Sequence, residues 1–175
     1  MKIGLIRHFK VKKAFPKKFL IGFSELKKWF DEYELAEIEF QRLDSEKTKW
    51  DICYCSPTQR TIKTATSLYD NKPIIINELK ELNVLNLMNK KLKLPFIVWG
   101  LLIRNKSLAN NELTIDFKKR INSFIDVLLS KDQENVLIVS HGFVMMYLQK
   151  EFKKRGFTGD NFKSPENGKV YEYRN

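Results

Sequence analysis

Residues 136–142 read Val136-Leu137-Ile138-Val139-Ser140-His141-Gly142, four apolar residues that give way at once to a serine, a histidine and a glycine. A short aliphatic run bounded by small polar residues reads as a strand buried on both faces. Three more runs have the same build: Ile3–Ile6 (IGLI), Ile52–Cys55 (ICYC) and Ile74–Ile76 (III). Helical patterns lie between them. Ser24 is placed to cap a segment from Glu25 onward, and Ser56-Pro57 reads as N-cap and first helical residue of a helix running to Leu68. Leu113, Phe117, Ile121, Phe124, Ile125 and Leu128 recur at threes and fours, as an amphipathic helix requires, and a further helix is expected after Gly142. Lys169–Tyr173 (KVYEY) alternates and reads as a final strand at an edge. Strands alternating with helices predict an α/β fold, a three-layer αβα sandwich around a mostly parallel central sheet.

The 175 residues suit one domain over 1–175. Apolar residues make up 43% and aromatics 13%, enough for a core, which excludes a disordered chain. None of the seven glycines forms GxGxxG or GxxxxGK[ST], so the standard dinucleotide and P-loop fingerprints are missing. Two histidines and two cysteines are too few for a zinc-finger pattern. The N-terminal apolar stretch is too short for a signal peptide, and no run approaches a membrane span. Cys53 and Cys55 share one face of a strand and read as buried free thiols, which fits a reducing cytoplasm. The net charge of +11 admits a nucleic-acid footprint, since Lys10, Lys12, Lys13, Lys17 and Lys18 crowd one segment and Lys90, Lys91 and Lys93 another. Interleaved acids such as Glu32, Glu34, Glu37 and Glu39, and the lack of any nucleic-acid motif, favour instead a solvated basic surface, part of which can steer an anionic substrate.

In open α/β sheets ligands bind beyond the carboxyl ends of the strands. The residues just after each run are therefore decisive. Arg7-His8 comes after the first, Ser56-Pro57 and then Arg60 after the second, Glu78 and Glu81 after the third, and Ser140-His141-Gly142 after the fourth. Both histidines of the chain stand at predicted strand ends with two arginines and a pair of carboxylates. Two guanidinium forks and a helix N-terminus make a site for a dianion, each charge-assisted bond contributing about 1.5–3 kcal/mol. A histidine in that field is held neutral and nucleophilic, and a nearby glutamate can protonate a leaving oxygen. The chemistry that fits is phosphoryl transfer through a phosphohistidine.

The motif Leu5-Ile6-Arg7-His8, the run Ser56-Pro57-Thr58-Gln59-Arg60-Thr61-Ile62-Lys63-Thr64-Ala65, the segment Leu79-Lys80-Glu81-Leu82 and Ser140-His141-Gly142 together resemble the histidine phosphatase superfamily, which includes cofactor-dependent phosphoglycerate mutases and small phosphomonoesterases. The resemblance implies that His8 is the nucleophile, that Arg7, Arg60 and His141 bind the transferring phosphoryl group, and that Glu81, rather than Glu78, is the general acid and base. It implies a metal-independent phosphatase needing no cofactor and acting on a small phosphorylated substrate. It also implies that an insertion at about 84–111 caps the site and sets substrate choice, although the run Pro95–Ile103 around Trp99 reads first as packing. One departure stands out. Phe9 occupies the place of the family's usual glycine after Arg-His, which adds bulk where the backbone runs close to phosphate. The asparagine often found shortly after that motif in mutases is also missing, which weighs against a phosphoglycerate-type mutase. A catalytically weak binder of anions or nucleic acid is the remaining alternative.

Overall fold

The computed structural model describes residues 1–40 and 49–175. In chain order its elements are β1 (Lys2–Arg7), β2 (Ile21–Gly22), α1 (Phe23–Leu35), β3 (Ile52–Cys55), α2 (Gln59–Leu68), β4 (Ile74–Ile75), β5 (Lys93–Leu94), α3 (Phe96–Leu108), α4 (Glu112–Leu129), β6 (Asn135–Ser140), α5 (Gly142–Lys154), β7 (Thr158–Gly159) and β8 (Val170–Arg174). Six strands form one sheet in the order β4-β3-β6-β1-β8-β7, and β2 and β5 form a separate ribbon. The first four of the six run parallel, with Arg7 opposite Ser140 and Cys55 opposite Val139. That register brings the carboxyl ends of β1, β3 and β6 to one edge.

Alternation along the strands builds two cores. Ile3 and Leu5 of β1, Tyr54 of β3 and Val136 and Ile138 of β6 face α4 and α5, packing with Phe117, Ile121, Phe124, Val144 and Phe152. Ile6, Cys53, Cys55, Leu137 and Val139 face the other way, against Ala65 of α2. Helices on both faces of a mostly parallel sheet give the expected three layers. Both cysteines lie in the second core as free thiols, and burial pushes the Cys55 thiol up to about 11. Gly4 belongs to this face too, since a Cβ there would collide with the Trp50 ring.

Four local expectations are revised. Ile74 and Ile75 are 42% and 50% exposed, because among the described residues β4 is the sheet's edge and pairs with β3 alone. The strand expected at an edge, β8, is internal: it pairs antiparallel with β1, and the two-residue β7 lies outside it. Helix α1 begins at Phe23 with Gly22 as N-cap, whose N–H donates to the Glu25 carboxylate at 3.0 Å, so Ser24 lies in the first turn and not at the cap. Helix α2 begins at Gln59 with Thr58 as N-cap, two residues later than Ser56-Pro57 suggested.

The segment at 84–111 holds β5 and α3. Trp99 of α3 is fully buried with Ile21, Leu26, Val84 and Met88 in a third core, and its indole N–H donates to the Ile21 carbonyl at 3.0 Å. The packing reading of Trp99 is therefore the structural one. Much of the basic N-terminal segment is neutralised in place. Lys10 pairs with Glu39, Lys12 with Glu37, Lys13 with Glu32 and Lys18 with Glu25.

Candidate active site

Arg7 ends β1 and His8 comes next, its backbone N–H donating to the Ser140 carbonyl of β6 at 3.0 Å. The His8 ring is buried, with Nδ1 2.7 Å from the Phe9 carbonyl oxygen. A carbonyl can only accept, so Nδ1 carries the proton and Nε2 keeps its lone pair. Burial pulls the His8 pKa from 6.5 down to about 3; the Phe9 bond opposes the shift, while Arg60 and Arg7 add to it. A neutral imidazole with Nε2 as its only free nitrogen is the form a nucleophile needs.

Phe9 resolves into two parts. Its N–H donates to the Thr64 hydroxyl of α2 at 3.0 Å and its carbonyl orients His8, so the site uses only its backbone. Its ring is 0% exposed, packed with Val11 and Ile38 away from the histidine. Among the described residues no non-glycine has a positive φ, so this position makes no conformational demand for glycine.

Arg60, in the first turn of α2, reaches across to His141 after β6. One guanidinium nitrogen donates to His141 Nδ1 at 3.3 Å and another pairs with Glu34 at 2.6 Å. Guanidinium only donates, so His141 Nδ1 accepts and its Nε2–H donates to the Ser56 hydroxyl at 2.8 Å. This contact explains the late start of α2, since the hydroxyl expected to cap the helix is engaged by the histidine. Thr61 holds the turn by donating to the Ser56 carbonyl at 2.6 Å. Burial, reinforced by Arg60, His8 and Arg7, keeps His141 neutral as well. The two imidazole rings lie 5.4 Å apart. Arg7 donates to the Pro165 carbonyl at 3.2 Å and passes beside Gly142. Among the described residues, two buried side-chain atoms have no hydrogen-bond partner: the Nε–H groups of Arg7 and Arg60.

Glu81 lies just after the 3₁₀ turn Asn77–Leu79, which Ser140 ties to the end of β6 through a 3.0 Å bond to the Leu79 carbonyl. Its carboxylate accepts from Leu82 N–H at 3.0 Å and from Phe143 N–H, in the first turn of α5, at 3.4 Å. Burial raises its pKa above the ordinary carboxylate value, against these two bonds and the two arginines. A carboxyl whose pKa is raised by burial beside two arginines holds its proton more readily than an ordinary glutamate, which suits it to general acid work. Glu78 sits within the 3₁₀ turn itself, where its carbonyl accepts from Arg120.

The structure thus gathers Arg7, His8, Arg60, Glu81 and His141 at one edge of the sheet. It adds residues with no legible sequence signal. Tyr33 of α1 lies under the Arg60 guanidinium, 5.3 Å from ring to cation. Asn167 donates to the His8 carbonyl at 2.7 Å. Arg120 of α4 donates to the Glu78 and Lys80 carbonyls, the latter at 2.5 Å, and so clamps the turn that presents Glu81.

A mostly parallel sheet with helices on both faces, carrying two imidazoles and two guanidinium groups at its carboxyl edge, defines an α/β protein. The chain belongs to the histidine phosphatase superfamily (branch 1), whose sequence model matches residues 33–173. That stretch contains Arg60, Glu81 and His141, whereas Arg7 and His8 precede it. A Hydrogenobacter thermophilus protein provisionally named phosphoserine phosphatase 2 is 31% identical over 106 residues, which span 55% of this chain and only 52% of that relative. Among solved structures, phosphoserine phosphatase from Entamoeba histolytica, in complex with 3-phosphoglyceric acid, superposes with a TM-score of 0.53 at 16% identity, covering 98% of this chain and 89% of that one. The alpha-ribazole phosphatase of Shigella flexneri gives 0.54 at 19% identity with the same coverage. At such identities these structures show a shared fold.

Proposed function

We propose that the protein is a metal-independent phosphomonoesterase that works through a phosphohistidine on His8. The observation that carries this reading is the neutral His8 ring, its Nδ1 bound to the Phe9 carbonyl, near two arginines whose buried Nε–H groups are unpartnered. The His8 Nε2 lone pair attacks phosphorus in line with the ester bond. As the P–N bond forms, the P–O bond to the alcohol breaks, and protonated Glu81 gives its proton to the departing oxygen. Arg7 and Arg60 take up the charge on the equatorial oxygens, with His141 beside them. Glu81, now a carboxylate, removes a proton from a water that attacks the phosphohistidine; the P–N bond breaks, and phosphate leaves. Residues 84–111 border the site as its cap and help to choose the substrate.

The test is a rapid-quench experiment with a labelled phosphomonoester. A phosphoenzyme stable to base and labile to acid is expected in wild type, no such species in His8→Ala, and turnover that survives chelator. Turnover by His8→Ala would refute the reading. With a phosphoglycerate, free phosphate is expected; migration of the phosphoryl group would make the protein a mutase.

A further inference from the structure

Helix α1 carries a row of aromatic rings that begins at the anion pocket and leads out of it. Tyr33 lies 5.3 Å from the Arg60 guanidinium, and Trp29, one helical turn earlier, stacks on Tyr33 at 5.2 Å with 24° between the planes. Phe96, at the start of α3, meets Trp29 at 4.7 Å, and Phe15 closes the group at 5.4 Å from Phe96 and 6.5 Å from Trp29. Trp29 and Tyr33 fit the helical spacing that puts residues four apart on one face.

These rings lie at the margins of the cores, Phe96 against the Trp99 cluster and Tyr33 against that of Phe9. Trp29, Tyr33 and Phe96 are each only half-buried, and Phe15 is 74% exposed. They are nonetheless held in place. The Trp29 indole N–H donates to the Ala14 carbonyl at 2.8 Å, and the ion pairs of Lys13 with Glu32 and of Lys18 with Glu25 fasten the 13–18 segment to α1. Tyr33 rests on the Phe9–Val11–Ile38 cluster, so the phenylalanine that replaces the family's glycine forms the floor beneath it. Burial raises the Tyr33 pKa first of all, and Arg60, Arg7, Glu34 and Glu81 act on it too, which places its ring near the charged groups of the site. A preorganised aromatic surface that runs from the Arg60 guanidinium out to the exposed Phe15 is a binding surface for something planar and apolar.

We infer that Tyr33 and Trp29, extended by Phe96 and Phe15, form the leaving-group platform of this site, and that its substrates are phosphomonoesters of alcohols carrying a planar aromatic ring a few bonds from the ester oxygen. The inference rests on the phosphatase reading above. Tyr33 touches Arg60 directly, so a ring one or two bonds beyond the ester oxygen reaches it, and a larger ring system reaches Trp29.

Benzyl phosphate and propyl phosphate test this, because both release primary alcohols of similar basicity and their ratio of kcat/KM reads recognition rather than bond cleavage. Wild type is expected to favour the benzyl ester by about tenfold, the scale of one aromatic stacking contact. Tyr33→Leu and Trp29→Leu are expected to bring the ratio to within about twofold. Phe15→Ser, at a position too exposed to disturb the fold, is expected to lower it less. Calorimetry with benzylphosphonate and propylphosphonate reads the same preference without turnover. A wild-type ratio near one, or a high ratio unchanged in all three variants, overturns the platform and leaves the phosphatase standing. Hydrolysis of neither ester overturns the phosphatase, and the phosphonates then decide the platform: equal affinities refute it.

Discussion

Acidification should destabilise this fold through His8, by an amount set by its burial. The ring has an ordinary pKa of 6.5 and is pulled to about 3 in the native protein. Above pH 6.5 it is neutral folded and unfolded, so it contributes no pH dependence. Below that value the unfolded chain binds a proton that the native state refuses, and stability falls by about 1.36 kcal/mol per pH unit. Between about pH 7.5 and pH 5 the loss attributable to His8 is about 2 kcal/mol, rising to about 5 kcal/mol once the pH falls below the native pKa. Urea denaturation monitored by tryptophan fluorescence at the two pH values measures it. His8→Asn removes the titrating ring, and the variant should lose about 2 kcal/mol less than wild type over that interval, equivalent to about 4–8 °C in Tm for a domain of this size. Groups remote from His8 titrate in both proteins and cancel in the comparison, and burial, the first cause of the lowered His141 pKa, acts in both. Equal losses in wild type and variant would show that His8 is not held neutral, and the account of it as a preformed nucleophile would fail with that result.

Phe9→Ala should cost about 3–5 kcal/mol of stability by opening a cavity in the Phe9–Val11–Ile38 cluster. Its inhibition by inorganic phosphate should stay within about twofold of wild type; a larger change in the inhibition constant would mean that the ring touches the anion. Glu81→Gln should lower kcat/KM for an alkyl phosphate by about 10²–10⁴-fold and spare kcat/KM for a nitrophenyl ester, whose leaving group needs no proton. Equal losses of kcat/KM on both esters would remove Glu81 as the acid; kcat falls on both, since the same group activates the water of the second step. Wild-type kcat/KM for the alkyl ester should fall as pH rises through the raised Glu81 pKa, since the acid must be protonated in the first step. Arg120→Met removes a positive charge near that carboxyl, so the alkaline limb of the kcat/KM profile should move to higher pH while kcat/KM drops by about tenfold. A lower kcat/KM with an unmoved limb would assign Arg120 to folding alone.

The features legible in the sequence are those written in local pattern. Four aliphatic runs and the residues after them locate the parallel strands and place both histidines, both arginines and Glu81 near one sheet edge, since strand ends converge whatever the loops do. Side-chain partners are not legible in the same way. Ser56-Pro57 has the chemistry of a helix start, yet the hydroxyl is taken by His141, 85 residues away. Ile74–Ile76 is as apolar as any central strand, and only the sheet order exposes it. Tyr33 and Arg120 carry no motif: one matters because α1 crosses Arg60, the other because α4 passes under the turn before Glu81. Phe9 reads as an obstruction at a phosphate site because sequence names a side chain and not its direction.

The position of β1 bears on how the protein is made. It leaves the ribosome before the other strands of its sheet, and both of its neighbours, β6 and β8, are translated more than 120 residues later. Until then Ile3, Leu5 and Ile6 have no strand to lie against, and the backbone groups that will pair on either side are open to any other chain. The same delay governs the nucleophile. Asn167 binds the His8 carbonyl and Gly168 the Arg7 carbonyl, so His8 reaches its final geometry only after both of those residues have emerged. Sheet closure across that separation is slow compared with helix formation. A nascent chain stalled before residue 165 would display the signature histidine without its final backbone contacts.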